Sequence, residues 1–503
     1  MGNQQNRQHA QDLNIEFVNR RQFLWLSGAS TMGLLLAACG ANGGTQTTPQ
    51  PGQNPLRIPE LLDSRATPEM ELVLQNGSHE FYAGVKSETK GFNGGYLGPT
   101  IRLYDGLDTT ITFTNNIGEP TTVHGHGLHV NSDIDGGPQS RIDPGESWKI
   151  TIPVRQEAGT SWYHPHLMGT SAHHVHAGLA GMYLIEDENS QALDLPKEYG
   201  VNDIPLVVQD RSFTDGKMNH YSVTEDDIKS GLREETLVVN GTVDAYHLVP
   251  QGWVRLRLLN GSNARFYRFH FGNNISFFKI ATEGGFLNQP VEMDFIDMSP
   301  GERNEIMIDL SDGANATLIA DLLPADPDDS DRQSKNISQA TVVELRVNPT
   351  LQASGTLPSK LNEIVYYDRS DATQIRSFAL NMEFRGGSRE KMNMFAINGR
   401  PMDMGYINQR VTKGEVEIWR VTAERMPHPF HMHGASFQIL TLNGEPPTEA
   451  DRGWKDTLVA WDKTTEVIIR FDHEATDEFP YMYHCHILEH EDYGMMGQFT
   501  VAA

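Results

Sequence analysis

Cysteine is nearly absent from this chain, which has only Cys39 and Cys485 among 503 residues. A structural disulfide is therefore not expected, and each cysteine calls for another explanation. Basic residues are also scarce, with 40 Lys and Arg against 66 Asp and Glu, which gives a formal net charge of −26. This charge argues against binding to nucleic acid or to anionic lipid.

Long amphipathic helical patterns are also scarce, whereas 46 Gly and 26 Pro favour many turns. This combination predicts an all-β chain. Similar strand patterns follow Gly106, Gly252 and Gly414, at intervals of roughly 150 residues, which is a typical domain size. The repeat therefore predicts three units, and no apolar segment past residue 40 is long enough to span a membrane.

The stretch His484-Cys485-His486 is the most informative part of the sequence. Side chains alternate between the faces of a β-strand, so the two imidazoles point one way and the thiol points the other. His490 and Met495 follow in the pattern Cys-x4-His-x4-Met, and one Cys, two His and a weak Met form a blue-copper site. The sequence therefore predicts a copper on Cys485 that one strand connects to a second metal site.

Three further His-x-His pairs lie in or beside alternating apolar sequence: His124 and His126, His164 and His166, and His431 and His433. Together with the pair around Cys485 they supply eight imidazoles, which divide as three, three and two around three coppers. His428 is left over, and Pro429 after it favours an extended backbone that suits a ligand turned toward Cys485. So many pairs beside the Cys485 loop argue against the alternative, a buried cysteine near surface histidines.

The first and third units hold two pairs each, so neither has enough ligands alone. We therefore expect the three-copper cluster to lie between these two units. In the middle unit, the segment that begins at Asn260 and reads Asn-Gly-Ser-Asn-Ala-Arg replaces the histidines. The middle unit is expected to bind no copper and to act as a spacer.

The four motifs together resemble a known family, the three-domain multicopper oxidases, which include laccases, bilirubin oxidases and bacterial cuprous oxidases. They read His124-Gly-His-Gly, Trp162-Tyr-His-Pro-His, His428-Pro-Phe-His-Met-His and His484-Cys-His-Ile-Leu-Glu-His. The likeness extends to bacterial copper-efflux oxidases through Asp133-Ile-Asp-Gly-Gly-Pro-Gln, Gly453-Trp-Lys-Asp-Thr and Glu489-His-Glu-Asp-Tyr-Gly-Met-Met. The resemblance implies an all-β fold of three cupredoxin-like Greek-key β-barrel or sandwich domains.

The expected domain organisation follows from this resemblance and from the linkers. It consists of a leader at 1–40, a flexible tether at 41–62, and cupredoxin domains at 63–190, 200–350 and 360–503. The middle domain is expected to lack copper, and the third is expected to carry the type 1 copper.

The resemblance also implies four copper ions, with a role for each ligand residue. The type 1 copper would be held by His428, Cys485, His490 and Met495, and the type 2 copper by His124 and His431. The two type 3 coppers would be held by His126, His164 and His486, and by His166, His433 and His484. Asp135 and Glu491 match acidic residues that supply protons to bound oxygen, and Cys485 lies in the electron path.

Two features lie outside this ligand pattern. Gly125 stands where most relatives have Trp, and we expect the glycine to loosen the backbone and to change solvent access at the type 2 site. The segment His173-His-Val-His176 is expected to present exposed loop histidines, with a role in copper delivery as the alternative.

The implied activity is one-electron oxidation of a small reducing substrate, coupled to four-electron reduction of O2 to water by a monomer. Phenols and aromatic amines, as in laccases, are favoured over Cu(I) because the region Leu380–Asn398 is short and holds only Met382, Met392 and Met394. Two alternatives without turnover are a scaffold or division factor, whose known examples have lost ligands, and a periplasmic copper-binding protein.

The N-terminal residues predict export. Asn19-Arg-Arg-Gln-Phe-Leu, followed by an apolar run from Leu24 to Ala38, is typical of a twin-arginine signal, which carries folded proteins. Leu36-Ala-Ala-Cys39 also resembles a lipoprotein box, so we expect a lipid anchor at Cys39, with simple signal cleavage as the alternative. The protein is therefore expected in the periplasm or at the cell surface.

Overall fold

The computed structural model describes residues 52–323, 338–382 and 395–503. Strands make up 48% of it and helices only 8%, so the predicted all-β class is confirmed. The predicted leader at 1–40, with Cys39, lies outside the described residues, as do Met392 and Met394. Within the described ranges, no helix is long and apolar enough to cross a membrane.

The N-terminal part of the described chain, here called the first segment, folds into two sheets that enclose a common core. Its strands are β1 Asn54–Pro55, β2 Leu61–Asp63, β3 Glu69–Tyr82, β4 Val85–Phe92, β5 Thr100–Tyr104, β6 Asp108–Asn116, β7 His124–His126, β8 Ser147–Pro153, β9 Gly159–His164 and β10 Gly181–Glu186, with helices α1 Ser171–Ala177 and α2 Glu188–Ala192. One sheet has the order β2-β5-β10-β9-β7 and the other β4-β3-β6-β8. Buried and exposed side chains alternate along β6, so Ile111 and Phe113 face this core.

The middle segment repeats this plan with two six-stranded sheets. Its strands are β11 Asp203–Arg211, β12 Phe213–Thr214, β13 Lys217–Met218, β14 Thr236–Val239, β15 Ala245–Val249, β16 Trp253–Asn260, β17 Tyr267–Phe271, β18 Phe277–Thr282, β19 Gly285–Met293, β20 Ile296–Met298, β21 Arg303–Asp309, β22 Ala316–Leu322 and β23 Gln339–Val347, with helix α3 Glu225–Ser230. The sheet orders are β14-β11-β16-β21-β18-β19 and β1-β15-β23-β22-β17-β20, and β12 pairs with β13.

The third segment has two five-stranded sheets around an aromatic core that contains Trp419. Its strands are β24 Gln374–Met382, β25 Phe395–Ile397, β26 Gln409–Thr412, β27 Val416–Ala423, β28 His428–Met432, β29 Phe437–Thr441, β30 Thr457–Ala460, β31 Thr465–Arg470, β32 Tyr481–Cys485 and β33 Met496–Ala502, with helix α4 Leu488–Asp492. The orders are β25-β24-β27-β31-β29 and β26-β33-β32-β28-β30.

The described part of the predicted tether at 41–62 differs from a free linker. Asn54 of β1 pairs with Ala245 of β15, and Leu56 is buried in the middle core. Backbone hydrogen bonds and apolar burial together offset the conformational entropy lost on ordering these residues. Strand β1 therefore extends a sheet of the middle segment, whereas Leu61 and Leu62 at the end of the predicted tether pair with β5 of the first segment.

Two strand pairs position the paired histidines. In the first segment β7 lies beside β9, with His124 opposite His164. In the third segment β28 lies beside β32, with His431 opposite His484. Directly opposite residues of paired strands project to the same face, so each strand pair brings two His-x-His motifs onto one sheet surface.

Buried ion pairs connect the middle segment to strand β9. The Arg257 guanidinium donates to Asp203 at 2.7 and 2.9 Å and to Glu305 at 3.0 Å. It also donates to Thr160 Oγ1 of β9 at 3.2 Å. All of these groups are fully or nearly fully buried. Arg255 also donates to Glu305, at 2.9 Å, so Asp203 is the carboxylate that depends most on Arg257 for compensation.

We predict that Arg257→Ala lowers the free energy of unfolding by about 3–5 kcal/mol, because it leaves the buried Asp203 carboxylate without its hydrogen-bonded counter-ion. Urea denaturation followed by tryptophan fluorescence measures the change. Arg410→Ala is the matched control, since Arg410 pairs with Asp477 at a surface where both side chains are more than half exposed. Equal denaturation midpoints for the two variants would contradict the prediction.

Candidate metal centre

Two buried imidazoles converge on the thiol of Cys485. Its Sγ lies 3.3 Å from His428 Nδ1 and 3.5 Å from His490 Nδ1, and these two nitrogens are 3.2 Å apart. Met495 is fully buried in the same core. Three of the four predicted type 1 residues are therefore brought together, with two nitrogens and one sulfur directed at a common point.

The surroundings of this group leave its donor atoms available to a metal. His490 Nε2 donates to the Lys229 carbonyl at 3.1 Å, which leaves the Nδ1 lone pair directed at Cys485. Burial raises the pKa of Cys485 well above its usual range, so a thiolate at this position requires a bound cation. A copper ion meets that requirement, because soft thiolate and imidazole ligands suit copper.

The segment His484-Cys485-His486 separates two groups of ligands as the alternation of a strand requires. The imidazole rings of His484 and His486 lie on the same side, with centroids 5.6 Å apart. The thiol between them faces His428 and His490 in the opposite direction. One backbone segment thus connects the sulfur group to the cluster of paired histidines.

The eight paired histidines form one buried cluster. Nε2 of His484 lies 3.1 Å from Nε2 of His166 and 3.3 Å from Nε2 of His433. In each of three groups, ligand nitrogens lie within 4.8 Å of one another: His166, His433 and His484; His126, His164 and His486; and His124, His126 and His431. The first two groups have the composition predicted for the type 3 coppers, and the third contains the predicted type 2 pair together with His126.

Several imidazoles have one nitrogen fixed by a carbonyl oxygen and the other without a hydrogen-bond partner. Nδ1 of His124 donates to the Asp135 carbonyl at 2.8 Å, Nδ1 of His164 to the Pro165 carbonyl at 2.9 Å, and Nδ1 of His431 to the Asp456 carbonyl at 2.9 Å. The Nε2 atoms of these three histidines are buried and unpartnered.

An unpaired buried polar atom costs about 1–3 kcal/mol, so unpartnered nitrogens that face one another indicate a site built for cations. A carbonyl on the opposite ring nitrogen is also the usual way in which a metal-binding histidine is oriented. The residues present therefore fit bound copper.

Asp135 and Glu491 lie at the cluster but in different electrostatic environments. Asp135 Oδ2 accepts a hydrogen bond from His433 Nδ1 at 2.7 Å. Burial acts to raise the pKa of Asp135, but the neighbouring His433 and His124 have the larger combined effect and lower this pKa. Glu491 places one oxygen 3.2 Å from His166 Nδ1 and the other 3.3 Å from His484 Nδ1. Burial, followed by the charge of Asp492, raises the pKa of Glu491 well above its usual range.

The sequence did not indicate that the middle segment also contacts the cluster. The Arg303 guanidinium donates to both oxygens of Asp456, at 2.8 and 2.6 Å, and one of these oxygens lies 3.2 Å from His126 Nε2. Burial alone would raise the pKa of Asp456, but the charge of Arg303 lowers it well below its usual range. Asp456 was visible in the motif that begins at Gly453, whereas Arg303 had no sequence signal.

The middle segment is therefore more than the predicted spacer. Besides Arg303, the middle segment also places Gly301 against the cluster. The backbone of Gly301 has a φ of +84°, and a Cβ at this glycine would lie 2.8 Å from Cδ2 of His486. Only glycine combines this backbone conformation with so close an approach. The backbone of the middle segment thus packs directly against one ligand ring.

Gly125 does not leave the open space expected from its missing side chain. A Cβ at this position would lie 2.6 Å from Cδ1 of Leu128, which is buried. The Gly125 amide also donates to the Asp135 carbonyl at 3.1 Å. Leu128 therefore fills the position that a larger residue would occupy, and the backbone between the two histidines is held in place.

The expectation of exposed loop histidines at 173–176 was wrong. These residues lie in α1, where His174 and His176 are buried and His173 is only partly exposed. His176 Nε2 lies 2.9 Å from Glu234 of the middle segment, and His174 Nε2 lies 3.4 Å from Glu119. Helical geometry turns the side chains of His174 and His176 into the interior, and the short polar segment did not indicate a helix.

Comparisons with known proteins agree with this geometry. Two family profiles described as multicopper oxidase match residues 74–190 and 373–503. The solved laccase-like multicopper oxidase CueO from Ochrobactrum sp. is 38% identical, with a TM-score of 0.81, and the match covers 89% of this chain and all of that one. McoA, a multicopper oxidase from Aquifex aeolicus, is 31% identical with a TM-score of 0.77, over 90% of this chain and all of that one.

A curated relative carries a different name. The cell division protein FtsP from Photorhabdus laumondii is 35% identical over 482 residues, which is 95% of this chain and 98% of that protein. The solved oxidases confirm the predicted cupredoxin-like fold, and their match extends along most of the chain. Membership of this family implies that the chain binds copper. On this evidence of fold, motifs and matched length, the chain belongs to the multicopper oxidase family.

Proposed function

We propose that this protein is a laccase-like oxidase that removes single electrons from a small reducing substrate and passes four of them to O2, forming water. The observation that carries the proposal is the Cys485 segment, which joins a sulfur-containing ligand group to eight buried imidazoles. A protein that only bound copper for storage would not need two ligand groups connected through one residue.

Four coppers have ligands in this proposal. His428, Cys485, His490 and Met495 hold the type 1 ion, and the eight paired histidines hold one type 2 and two type 3 ions. Copper bound at these two groups would supply one-electron transfer and the reduction of oxygen. The protein keeps both groups fully buried, which excludes bulk water from the cluster.

Asp135 and Glu491 are proposed to supply the protons that oxygen reduction consumes. The raised pKa of Glu491 keeps this carboxyl protonated, and its oxygens lie beside His166 and His484. Asp135, with a lowered pKa, is suited instead to orienting His124 and His433 as an ionised acceptor. Glu491 is thus suited to donate a proton, whereas Asp135, as a carboxylate, must first accept a proton before it can pass one on.

The substrate is proposed to be a phenol or aromatic amine, with Cu(I) as the alternative. Met382 and Met426 are buried in the core of the third segment. Buried methionines that fill core space are poor entry ligands for an incoming ion. The similar Ochrobactrum protein has oxidase activity towards lignin model compounds and lignosulfonate, which supports the aromatic class.

A role in cell division without turnover is the second candidate, because similar proteins carry the name FtsP. A purely structural role gives no physical reason to bury ligand nitrogens without partners. Oxygen uptake by the copper-loaded protein separates the two functions, and the ratio of kcat/KM for a simple phenol and for Cu(I) then decides the substrate class. We further propose export by the twin-arginine route, a lipid anchor at Cys39 and a monomeric state.

We predict that Cys485→Ser abolishes the blue absorption and reduces oxygen uptake to the background rate, because the strong thiolate ligand is lost. Circular dichroism should stay unchanged, since serine is nearly the same size as cysteine. Oxygen electrode traces and visible spectra of the copper-loaded variant measure both effects. Oxygen uptake at the wild-type rate would remove Cys485 from the electron path.

Glu491→Gln is expected to slow oxygen reduction about a hundredfold or more, because the amide cannot donate a proton as a carboxylic acid does. Reduction of the type 1 copper by substrate under anaerobic conditions should keep its wild-type rate. Glu478→Gln, a change at an exposed carboxyl of the same segment, is the control. The proton role is contradicted if both variants turn over at the wild-type rate.

Met495→Leu is predicted to raise the reduction potential of the type 1 copper, because a weak axial sulfur ligand is removed. A redox titration followed at the blue absorption band gives the shift. An unchanged or lower potential would show that Met495 packs in this core without acting as a ligand.

A further inference from the structure

A cavity of about 500 Å³ lies between the middle and third segments, outside the proposed copper ligands. One wall includes Phe266 and Met298 of the middle segment, and the other includes Pro427 and Leu458 of the third. Small-molecule sites usually have volumes of roughly 300–1,000 Å³, with apolar walls and a few converging polar groups. The cavity has the size and lining of such a site.

The acidic groups that line this cavity already have partners. Asp297 accepts two hydrogen bonds from Arg268, at 2.7 and 2.8 Å. Glu302 accepts one from Lys455 at 3.0 Å, and Asp451 accepts one from a threonine three residues earlier at 2.6 Å. These carboxylates are therefore engaged within the protein.

Two other polar groups in the cavity wall are buried without partners. Lys279 is 4% exposed and Asn304 is 2% exposed. Among the described residues, the Lys279 ammonium has no hydrogen bond or ion pair, and Asn304 Oδ1 is unpartnered. Asp451, Glu283 and Glu302 offset the charge of this ammonium from beyond hydrogen-bond distance. A ligand that brings an anionic group and a hydrogen-bond donor would pair both groups directly.

Lys279 keeps its charge despite this burial. Desolvation, followed by repulsion from Lys455, lowers the pKa of Lys279 to about 8. The ammonium form therefore still predominates at pH 7, where an organic acid is ionised. A carboxylate is the complementary group for a single buried ammonium.

We propose that this cavity binds a small hydroxylated aromatic carboxylic acid. Lys279 donates to the carboxylate, Asn304 Oδ1 accepts a hydrogen bond from the ring hydroxyl, and Phe266 and Met298 pack against the ring. The net charge of −26 repels such acids in general, so the local cation is what makes this site selective for them.

The cavity also adjoins the strand that carries a proposed copper ligand. Pro427 directly precedes His428, and Leu458 pairs with Phe430 of β28. A bound aromatic acid therefore lies beside the type 1 group, where it can serve as the electron donor. This last step rests on the proposed oxidase function, whereas the binding itself does not.

Calorimetric titration of the copper-loaded protein at pH 7 tests the binding. Vanillate is the acid, methyl vanillate is its uncharged counterpart, and veratrate lacks the ring hydroxyl. Vanillate is expected to bind at least about ten-fold more tightly than methyl vanillate, because hydrogen bonds to charged groups are the stronger class. This comparison needs no variant, so it holds even if a substituted protein fails to fold.

Two variants then assign the contacts. Lys279→Met should abolish the preference for vanillate over its ester, and Asn304→Leu should abolish the preference for vanillate over veratrate. Lys149→Met, at a lysine whose side chain is 63% exposed on the first segment, should leave both preferences unchanged. Equal affinity of the wild type for vanillate and methyl vanillate, or an unchanged preference in Lys279→Met, overturns the proposal.

Oxygen uptake with the same compounds separates this proposal from the proposed function. If vanillate binds through Lys279 but no donor supports oxygen uptake, the oxidase proposal fails and the binding site stands. If phenols support oxygen uptake while acid and ester bind equally, the binding site fails and the oxidase stands. A lower KM for vanillate than for its ester, lost in Lys279→Met, supports both.

Discussion

The whole arrangement depends on the alternation of side chains along one strand. His484 and His486 face the histidine cluster, while Cys485 between them faces His428 and His490. A one-residue shift in the register of β32 would exchange the two faces and destroy both ligand groups at once. The pairing of His431 on β28 with His484 on β32 fixes that register. The aromatic core of the third segment holds the two strands in place.

Bound cations would complete and stabilise this arrangement. The nitrogens that face one another in the cluster are buried without partners, and each such atom costs about 1–3 kcal/mol in the metal-free protein. Carbonyls and carboxylates around the cluster fix the rings with their lone pairs inward. The Arg303–Asp456 pair adds a contact from the middle segment, so all three segments position one cluster.

The sequence was sufficient for the fold class and for finding the His-x-His and Cys485 motifs, but not for the surroundings of these motifs. His-x-His pairs and the Cys485 loop could be found because strand alternation and metal chemistry act over a few residues. Arg303 reaches the cluster from a distant strand, and Leu128 fills the space over Gly125 only through tertiary packing. The histidines of α1 were misplaced because a seven-residue helix in polar sequence gives little periodic signal.

The most direct test of the connection through Cys485 is a crystal structure of the copper-loaded protein, with anomalous diffraction data collected at the copper absorption edge. The account predicts one copper peak among Cys485, His428 and His490, and three peaks among the eight paired histidines. The absence of copper from the histidine cluster, or zinc bound there in protein purified from its natural source, would contradict it.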